Sequence, residues 1–395
     1  MRIAMFTDYF FPELGGIQDS IATISRALGQ RGHQIDIYAP RYGVRDYRLV
    51  GADRAERDLG DNVRVHRRVS LPFPSSTRQS RVALPSPVAP ALLGLRARTD
   101  VIHVHSFFGI GLEALLNATC LGIPVIGTNH TTIAGFGPFI PLRVDHAAAY
   151  VAWFYNRCDT VTAPSVSVFA ELDGVRLFRP RHVVSNPIDT TLFRPLRPAD
   201  GPGLRTRFAL AGPTITYAGR LGREKNIEVL LHAVALLRDR GVAAGLAIAG
   251  HGSHEAVLRA LAADLGIASQ ARFLGTLPPA DLACLLRESD VFAMMSTTET
   301  QSMVLLQAMA SGVPVVAADS RALPEFVGPT NGLLVDPHDP AALAAVLSGL
   351  LASPAQRQGM GQAGRRLAEE FSTETITDRW ETLYRSVQQG AQAHE

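Results

Sequence analysis

The stretch "TITYAGRLGREKNIEVLL", residues 214–231, decides the fold. Its opening residues are β-branched and aromatic, its closing run reads as a helix, and the turn between them carries Gly219, Arg220, Gly222, Arg223 and Lys225. A strand passing into a helix through a glycine-containing turn is the repeating unit of a parallel sheet covered by helices. Lys225 is the only lysine in 395 residues, set against 37 arginines. Two cations, Arg220 and Lys225, at the carboxyl end of a strand and beside a helix N-terminus describe an anion site. A guanidinium grips two phosphate oxygens at once, whereas an ammonium acts as a compact point charge. Asn226 stands where a side chain caps the helix that follows.

The same rhythm extends in both directions. "RIAMF" leads through a Gly-rich turn to "IATISRALGQRG", and "QIDIYAP", "VIHVH", "PVIGT" and "TVTAP" read as later strands. Near residue 185 the pattern pauses at "SNPIDTTLFRPLRPADGPG", whose Pro, Asp and Gly content reads as a linker. A second α/β set follows in "TITYAG", "GLAIAG", "RFLG", "DVFAMM" and "PVVAAD", and "TETITDRWETLYRSVQQ" closes the chain as a helix. These runs predict a domain over 1–188, a linker over 189–210 and a second domain over 211–370. Open parallel sheets bind ligands at the carboxyl ends of their strands.

With 47% hydrophobic and 19% charged residues, the composition is that of a globular chain. The first apolar run, "IAMF", is broken by Thr7 and Asp8, and no run of 18 apolar residues occurs, so neither a signal peptide nor a membrane span is expected. Three cysteines form no disulfide or zinc pattern, which fits a cytoplasmic location. The net charge of +2 conceals a division, because residues 1–188 carry 20 arginines against 15 acids and the remainder carries 18 cations against 21 acids. Between Val63 and Thr99 lie Arg64, Arg67, Arg68, Arg78, Arg81, Arg96 and Arg98, with no acid. Such a block suits an anionic partner or else a solvated loop. No nucleic-acid recognition motif accompanies it, and none is expected as a partner.

Other candidates follow the strands. "STTETQSMVLLQAMASGVPVV" places Glu299 in a polar loop and starts a helix near Ser302 or Met303, whose free amides favour negative charge. Gln307 is eight residues beyond Glu299, so both can face one ligand. Gly15 and Gly16 occupy the turn after the first strand, where side chains would block a ligand's approach. Gly250 and Gly252 in "GHGSHEAVL" form a similar turn. His103 and His105 alternate on one strand, but no Cys or carboxylate stands at ligand spacing, so no metal is expected. His130 in "GTNHTT" ends a strand, where either a structural or a functional histidine would fit.

The ordered set "RGH", "DVIHVHSFFG", "TNHT", "AGRLGREKN", "GHG" and "TETQSMVLLQAMASGVPVVA", with the Gly-Gly turn, resembles the retaining glycosyltransferases of family 4 over nearly the whole chain. "TETQS" and the aromatic stretch after "TNHT" look most like bacterial enzymes that glycosylate diacylglycerol or related lipids. The resemblance implies an α/β GT-B fold of two facing, doubly wound Rossmann-like domains with an interdomain cleft. Residues 371–395 would form a C-terminal helix packing back on the first domain. Arg220 and Lys225 would hold the donor diphosphate, and Glu299 the hydroxyls of the transferring sugar. Gln301, Ser302, Met303 and Val304 would offer backbone groups to sugar and phosphate, with Gly15, Gly16, Gly250 and Gly252 lining the donor site. His130 would lie beside the reacting sugar. The second Glu of the family's motif, which usually holds the nucleotide ribose, is Gln307 here, with one charge lost.

The expected activity is retaining, metal-independent hexosyl transfer from a nucleoside diphosphate sugar, such as UDP-glucose or GDP-mannose, with no cofactor. Arg220, Lys225, Glu299 and His130 would act at the reacting centre. This sequence has no Asp-x-Asp pair to hold a divalent ion, so the two cations would take over its charge. The acceptor is expected to be a membrane lipid, reached by peripheral docking of basic and aromatic segments on an anionic bilayer. Phe136, Phe139, Trp153, Phe154 and Tyr155 would contribute to that docking unless the helix over 144–157 spends them in the core. A soluble or polysaccharide acceptor, and a noncatalytic nucleotide-sugar-binding module suggested by Gln307, are the rival expectations.

Overall fold

The computed structural model describes residues 1–48, 56–72, 81–83, 99–131, 144–198, 200, 203, 207–208, 210 and 212–392. The chain divides into two compact units, Met1–Pro187 with Thr373–Glu395, and Ile188–Ser372. In the first unit lie β1 (Arg2–Phe6), β2 (Gln34–Pro40), β3 (Val63–Arg68), a short antiparallel pair β4 (Ser70–Pro72) and β5 (Arg81–Ala83), β6 (Val101–Val104), β7 (Val125–Thr128), β8 (Thr160–Ala163) and β9 (Arg181–Val183). Seven of these form one parallel sheet in the order β3-β2-β1-β6-β7-β8-β9. The second unit holds β10 (Thr214–Ala218), β11 (Gly245–Ala249), β12 (Ala271–Gly275), β13 (Val291–Met294), β14 (Val315–Ala318) and β15 (Gly332–Val335). They too are parallel, in the order β12-β11-β10-β13-β14-β15.

Both orders run outward from the first strand and then reverse past it, which defines a doubly wound Rossmann-like sheet. The reversal falls between β1 and β6 in the first unit and between β10 and β13 in the second. Central strands such as β10 and β13 are buried along their whole length, as strands covered on both faces must be. Ile188 and Phe193 belong to the core of the second unit, so the expected linker begins inside that unit. The Arg365 guanidinium fixes this segment by donating to the carbonyls of Thr190, Phe193 and Ala310.

The closing helix, Thr373–Gln392, belongs to the first unit. Ile376, Trp380 and Tyr384 are buried. The Tyr384 hydroxyl lies 2.7 Å from His103 Nδ1, and the Trp380 ring centroid 4.6 Å from that of His103. At its outer face Arg31 pairs with Asp378 and Glu381, and His33 Nε2 lies 2.6 Å from Glu381. Among the described residues no helix is long and apolar enough to cross a membrane.

Part of the arginine block pairs within the chain. Arg64, Arg67 and Arg68 lie on β3, which pairs with β2 at the sheet edge. Arg67 donates to the carbonyls of Pro40 and Phe11 and pairs with Glu56. Arg81 reaches Asp46 at 3.1 Å. Arg68 lies over the Tyr38 ring and places Nη2 2.9 Å from Oε1 of Glu113, whose side chain is 1% exposed. The acids absent from the block are supplied by other parts of the chain, so these three arginines are spent internally. Arg78, Arg96 and Arg98 lie outside the described residues, as do Phe136 and Phe139.

The helix Val144–Tyr155 divides its aromatics. Phe154 and Tyr155 are buried, and the Tyr155 hydroxyl donates to the carbonyl of Thr128. Trp153 remains 43% exposed, with the Arg157 guanidinium 4.1 Å from its ring centroid.

Removing one partner of a buried ion pair leaves an uncompensated charge, at a cost of about 3 kcal/mol. Arg68→Ala is therefore expected to destabilise the first unit by about that amount, measured by urea unfolding. A loss below about 0.5 kcal/mol, the range of ordinary surface changes, would show that Glu113 does not depend on the pair.

Candidate functional site

In the second unit the loop after β10 and the loop after β13 meet where the strand order reverses. Lys225 ends a short 3₁₀ turn, Arg223–Lys225, and its Nζ donates to Glu299 Oε1 at 2.5 Å and to Ser296 Oγ at 3.4 Å. Both side chains are largely buried, at 14% and 13% exposure. Arg220, earlier in the same loop, pairs through Nη2 with Glu224 Oε1 at 2.7 Å and stays about half exposed. The loop therefore holds its two cations each against a carboxylate. Burial raises the Glu299 carboxyl, but the Lys225 ammonium, with Ser296 and Arg220 adding to it, outweighs burial and holds it below its ordinary value of 4.5.

The backbone beneath is held by glycine contacts. A Cβ on Gly250, where φ is +133°, would stand 1.9 Å from the carbonyl oxygen of Gly219, and one on Gly252 would stand 2.2 Å from that of Leu221. The Leu221 amide donates to the His251 carbonyl, and the His254 amide to the Leu221 carbonyl. Gly250 and Gly252 thus let the loop after β11 lie directly against the loop that carries Arg220. The Tyr217 hydroxyl, buried beneath it, donates to the carbonyl of Arg220 at 2.9 Å.

The non-glycine residues with positive φ among the described residues are Asn226, Ser302 and Arg321. Asn226 and Ser302 sit at the starts of the helices Ile227–Asp239 and Met303–Ala310, behind β10 and β13. Left-handed backbone at such residues costs about 1–2 kcal/mol each and concentrates at functional loops. Ser302 caps its helix by accepting from the Leu305 amide. Asn226 does not cap with its side chain, contrary to the sequence expectation; its left-handed backbone makes the turn instead. On the helix Met303–Ala310, Leu305, Leu306, Ala308 and Met309 are buried, while Met303, Val304 and Gln307 share the half-exposed face. The amides of Met303 and Val304 precede the helix's own hydrogen bonds.

In the first unit the equivalent reversal, between β1 and β6, is bridged by hydrogen bonds. Asp8 Oδ2 accepts from Ser106 Oγ at 2.6 Å, Oδ1 accepts from the Ile110 amide, and the Asp8 amide donates to Ser106 Oγ. Beside them lies a shallow crevice lined in part by Tyr9, Ile17, His105, Phe108, His130 and Thr131. His105 Nδ1 is 3.1 Å from His130 Nε2, with the rings stacked 5.4 Å apart, and the rings of His103 and His105 are 3.9 Å apart. Burial pushes all three imidazoles down, His130 to about 4, so they are neutral at physiological pH. Gly15 directly precedes the helix Gly16–Gln30, and Gly16 opens it.

The family model for glycosyltransferase family 4 matches residues 14–192, and that for glycosyl transferases group 1 matches residues 206–367. A GDP-mannose-dependent alpha-mannosyltransferase of Mycolicibacterium smegmatis is 32% identical over 375 residues, covering 93% of this chain and 92% of that one. The chain belongs to glycosyltransferase family 4. The alpha-monoglucosyldiacylglycerol synthase of Streptococcus pneumoniae is 27% identical to this glycosyltransferase over 90% of the chain and 79% of its own. Among solved structures, HepE of Anabaena in complex with UDP superposes with a TM-score of 0.78 at 20% identity, covering 98% of this chain and 100% of that one, which supports the GT-B fold.

In this family 4 glycosyltransferase, Arg220, Lys225, Gly250, Gly252, Glu299, Gln301, Ser302, Met303, Val304 and Gln307 all lie in the second unit, behind β10, β11 and β13. Gly15, Gly16 and His130 lie in the first, behind β1 and β7. Sequence reasoning passed over Glu224, Ser296 and Tyr217. Glu224 carried a signal, standing four residues after Arg220 in the stretch that decides the fold.

A carboxyl held lower in the folded state stabilises the fold above its ordinary value and loses that contribution as pH falls through the folded value. Lys225→Met leaves burial to raise Glu299 instead. The variant is therefore expected to fall further below the wild type in Tm at pH 7 than at pH 4. A gap that stays constant across that range would show that Glu299 does not rely on Lys225.

Proposed function

We propose that this glycosyltransferase moves a hexosyl group from a nucleoside diphosphate sugar to a membrane lipid, with retention of anomeric configuration and without a metal ion. The observation that carries the reading is the ion pair between Lys225 and Glu299 across the reversal of the second sheet. A sugar diphosphate offers both halves of that pair what they need. Its phosphate oxygens accept from the ammonium, and its hydroxyls donate to the carboxylate.

The barrier to transfer lies in the charge that grows on the departing diphosphate and on an oxocarbenium-like sugar. Lys225 and Arg220 meet the first as fixed positive groups, supplying charge that a divalent ion supplies in other enzymes. The amides of Met303 and Val304, at the start of their helix, add to that field. Glu299 orients the sugar through its hydroxyls, which leaves it unavailable as a nucleophile and favours a same-face displacement. His130, neutral and set in the first unit's crevice, is the group in that unit assigned to a sugar hydroxyl. Gln307 replaces a charged ribose contact by a neutral one, at a cost of about 1.5–3 kcal/mol in donor binding.

The lipid acceptor rests on the relatives. One similar protein is named as a monoglucosyldiacylglycerol synthase, and a Mycobacterium tuberculosis protein 30% identical over 97% of this chain is named as a phosphatidylinositol monomannoside mannosyltransferase. Exposed Trp153, carrying Arg157 on its ring, has the mixed aromatic and basic character that suits a bilayer interface. This reading places the enzyme in the cytoplasm, peripheral to the membrane.

A thermal-shift panel of GDP-mannose, UDP-glucose and ADP-glucose is expected to single out one donor. With that donor, and at a temperature where the variant stays folded, Lys225→Met is expected to lower transfer about 100-fold or more, beyond what its cost of about 3 kcal/mol to folding accounts for. Loss of stability in proportion to activity would make the lysine structural, and binding without turnover on any lipid would favour a noncatalytic module. In flotation, the protein is expected to rise with vesicles containing anionic lipid at low salt and to detach at high salt. Absence of binding at low salt would remove the membrane from the reading.

A further inference from the structure

The hydrogen bond between His105 and His130 has a direction, and the direction can be worked out. Each neutral imidazole carries one N–H and one bare nitrogen. His105 Nδ1 faces His130 Nε2 at 3.1 Å, so one of these two nitrogens carries the shared proton. His105 Nε2 is buried and has no hydrogen-bond partner among the described residues. If His130 Nε2–H were the donor, His105 would have to carry its own proton on Nε2, as a buried N–H with no acceptor. If His105 Nδ1–H is the donor, the unmet group is a bare nitrogen, the milder of the two defects.

His105 itself is held in place from both sides. Its ring lies 3.9 Å from that of His103 and 5.4 Å from that of His130. His103 in turn is fixed at both nitrogens, by the Tyr384 hydroxyl at 2.7 Å and by Thr128 Oγ1 at 2.6 Å. Thr128 Oγ1 is a further 2.6 Å from Thr162 Oγ1. Three rings therefore stand in a row, anchored at one end by the closing helix and by strands β7 and β8. The other end is His130, at the crevice.

We propose that His105 is a positioning residue that locks His130 into the tautomer protonated at Nδ1. With Nε2 of His130 occupied as an acceptor, Nδ1–H is the nitrogen it has left, and His130 meets a ligand as a hydrogen-bond donor. A neutral donor suits the oxygen of a sugar hydroxyl and cannot take a proton from it at that nitrogen. This rests on the reading of His130 as the group beside the transferring sugar, and it assigns that group binding and orientation in place of general-base work.

The test is nitrogen-15 NMR of the imidazoles in the full-length protein, compared with His105→Phe and His105→Asn. Phenylalanine keeps the stacking ring and removes the donor, whereas the asparagine carboxamide places an N–H near the site of Nδ1–H. In the wild type, His130 is expected to show protonated Nδ1 and bare Nε2. His105→Phe should move it to a mixture or to the Nε2–H form, and His105→Asn should retain the wild-type pattern. In transfer assays, His105→Phe is expected to lower kcat about tenfold with donor KM unchanged, and His105→Asn to stay within about threefold of wild type. A wild-type His130 protonated at Nε2, or an unchanged His130 in His105→Phe, would overturn the proposal. So would a loss of kcat in His105→Asn as large as in His105→Phe. Because the tautomer is read without turnover, it decides the coupling whether or not a sugar is transferred.

Discussion

An ammonium and a carboxylate 2.5 Å apart hold the second unit's functional loops together. The constraint behind the pair is topological. Where β10 and β13 lie side by side, the chain leaves one strand toward one edge of the sheet and the other toward the opposite edge, so their following loops diverge. The gap this opens must be closed by side chains, and here it is closed by Lys225 and Glu299 with Ser296. The glycines, the buried tyrosine and the two left-handed helix starts all serve that junction. Gly250 and Gly252 bring the neighbouring loop close, Tyr217 fixes the carbonyl of Arg220, and Asn226 and Ser302 turn the backbone into the flanking helices.

The first unit solves the same problem without charge pairing. Between β1 and β6 the gap is spanned by Asp8 and Ser106, and burial pushes the Asp8 carboxyl up against the hydrogen bonds it accepts. The groups lining the crevice beside them are neutral imidazoles, a tyrosine, the hydroxyl residues Ser106 and Thr131, and apolar side chains. One fold used twice has thus produced a strongly polar junction and a nearly neutral one.

Much of this could be read from the residues, and what could not has a common cause. Central strands announced themselves because they are buried on both faces and consist of β-branched and apolar runs. Three of the four edge strands did not, β12 being read from "RFLG". In β3, "VRVHRR" leaves most of its residues half-buried with no apolar run, and its arginines read as a charge block until Glu56 and Glu113 arrive from elsewhere in the chain. β9 is three exposed residues, and β15 a four-residue run with a glycine. Lys225 was visible because it breaks the composition, and Glu299 because it stands before a helix. Their contact was not visible, since it joins residues 74 apart through strands that are neighbours only after three crossovers. His103 and His105 alternate on one strand, but nothing nearby in the sequence shows the partner that fixes His103, which is Tyr384, 281 residues away.

The return of Thr373–Gln392 to the first unit bears on the order in which the chain matures during synthesis. Residues 188–372 form a contiguous unit that can fold as soon as it clears the ribosome. Residues 1–187 appear first yet are incomplete, because the closing helix supplies part of the cover over His103 and the helix Gly16–Gln30. The earlier-made half must therefore wait, with buried imidazoles still open to water, until the later-made half is finished and the last turns emerge. Vectorial synthesis thus lets the second unit be completed before the first.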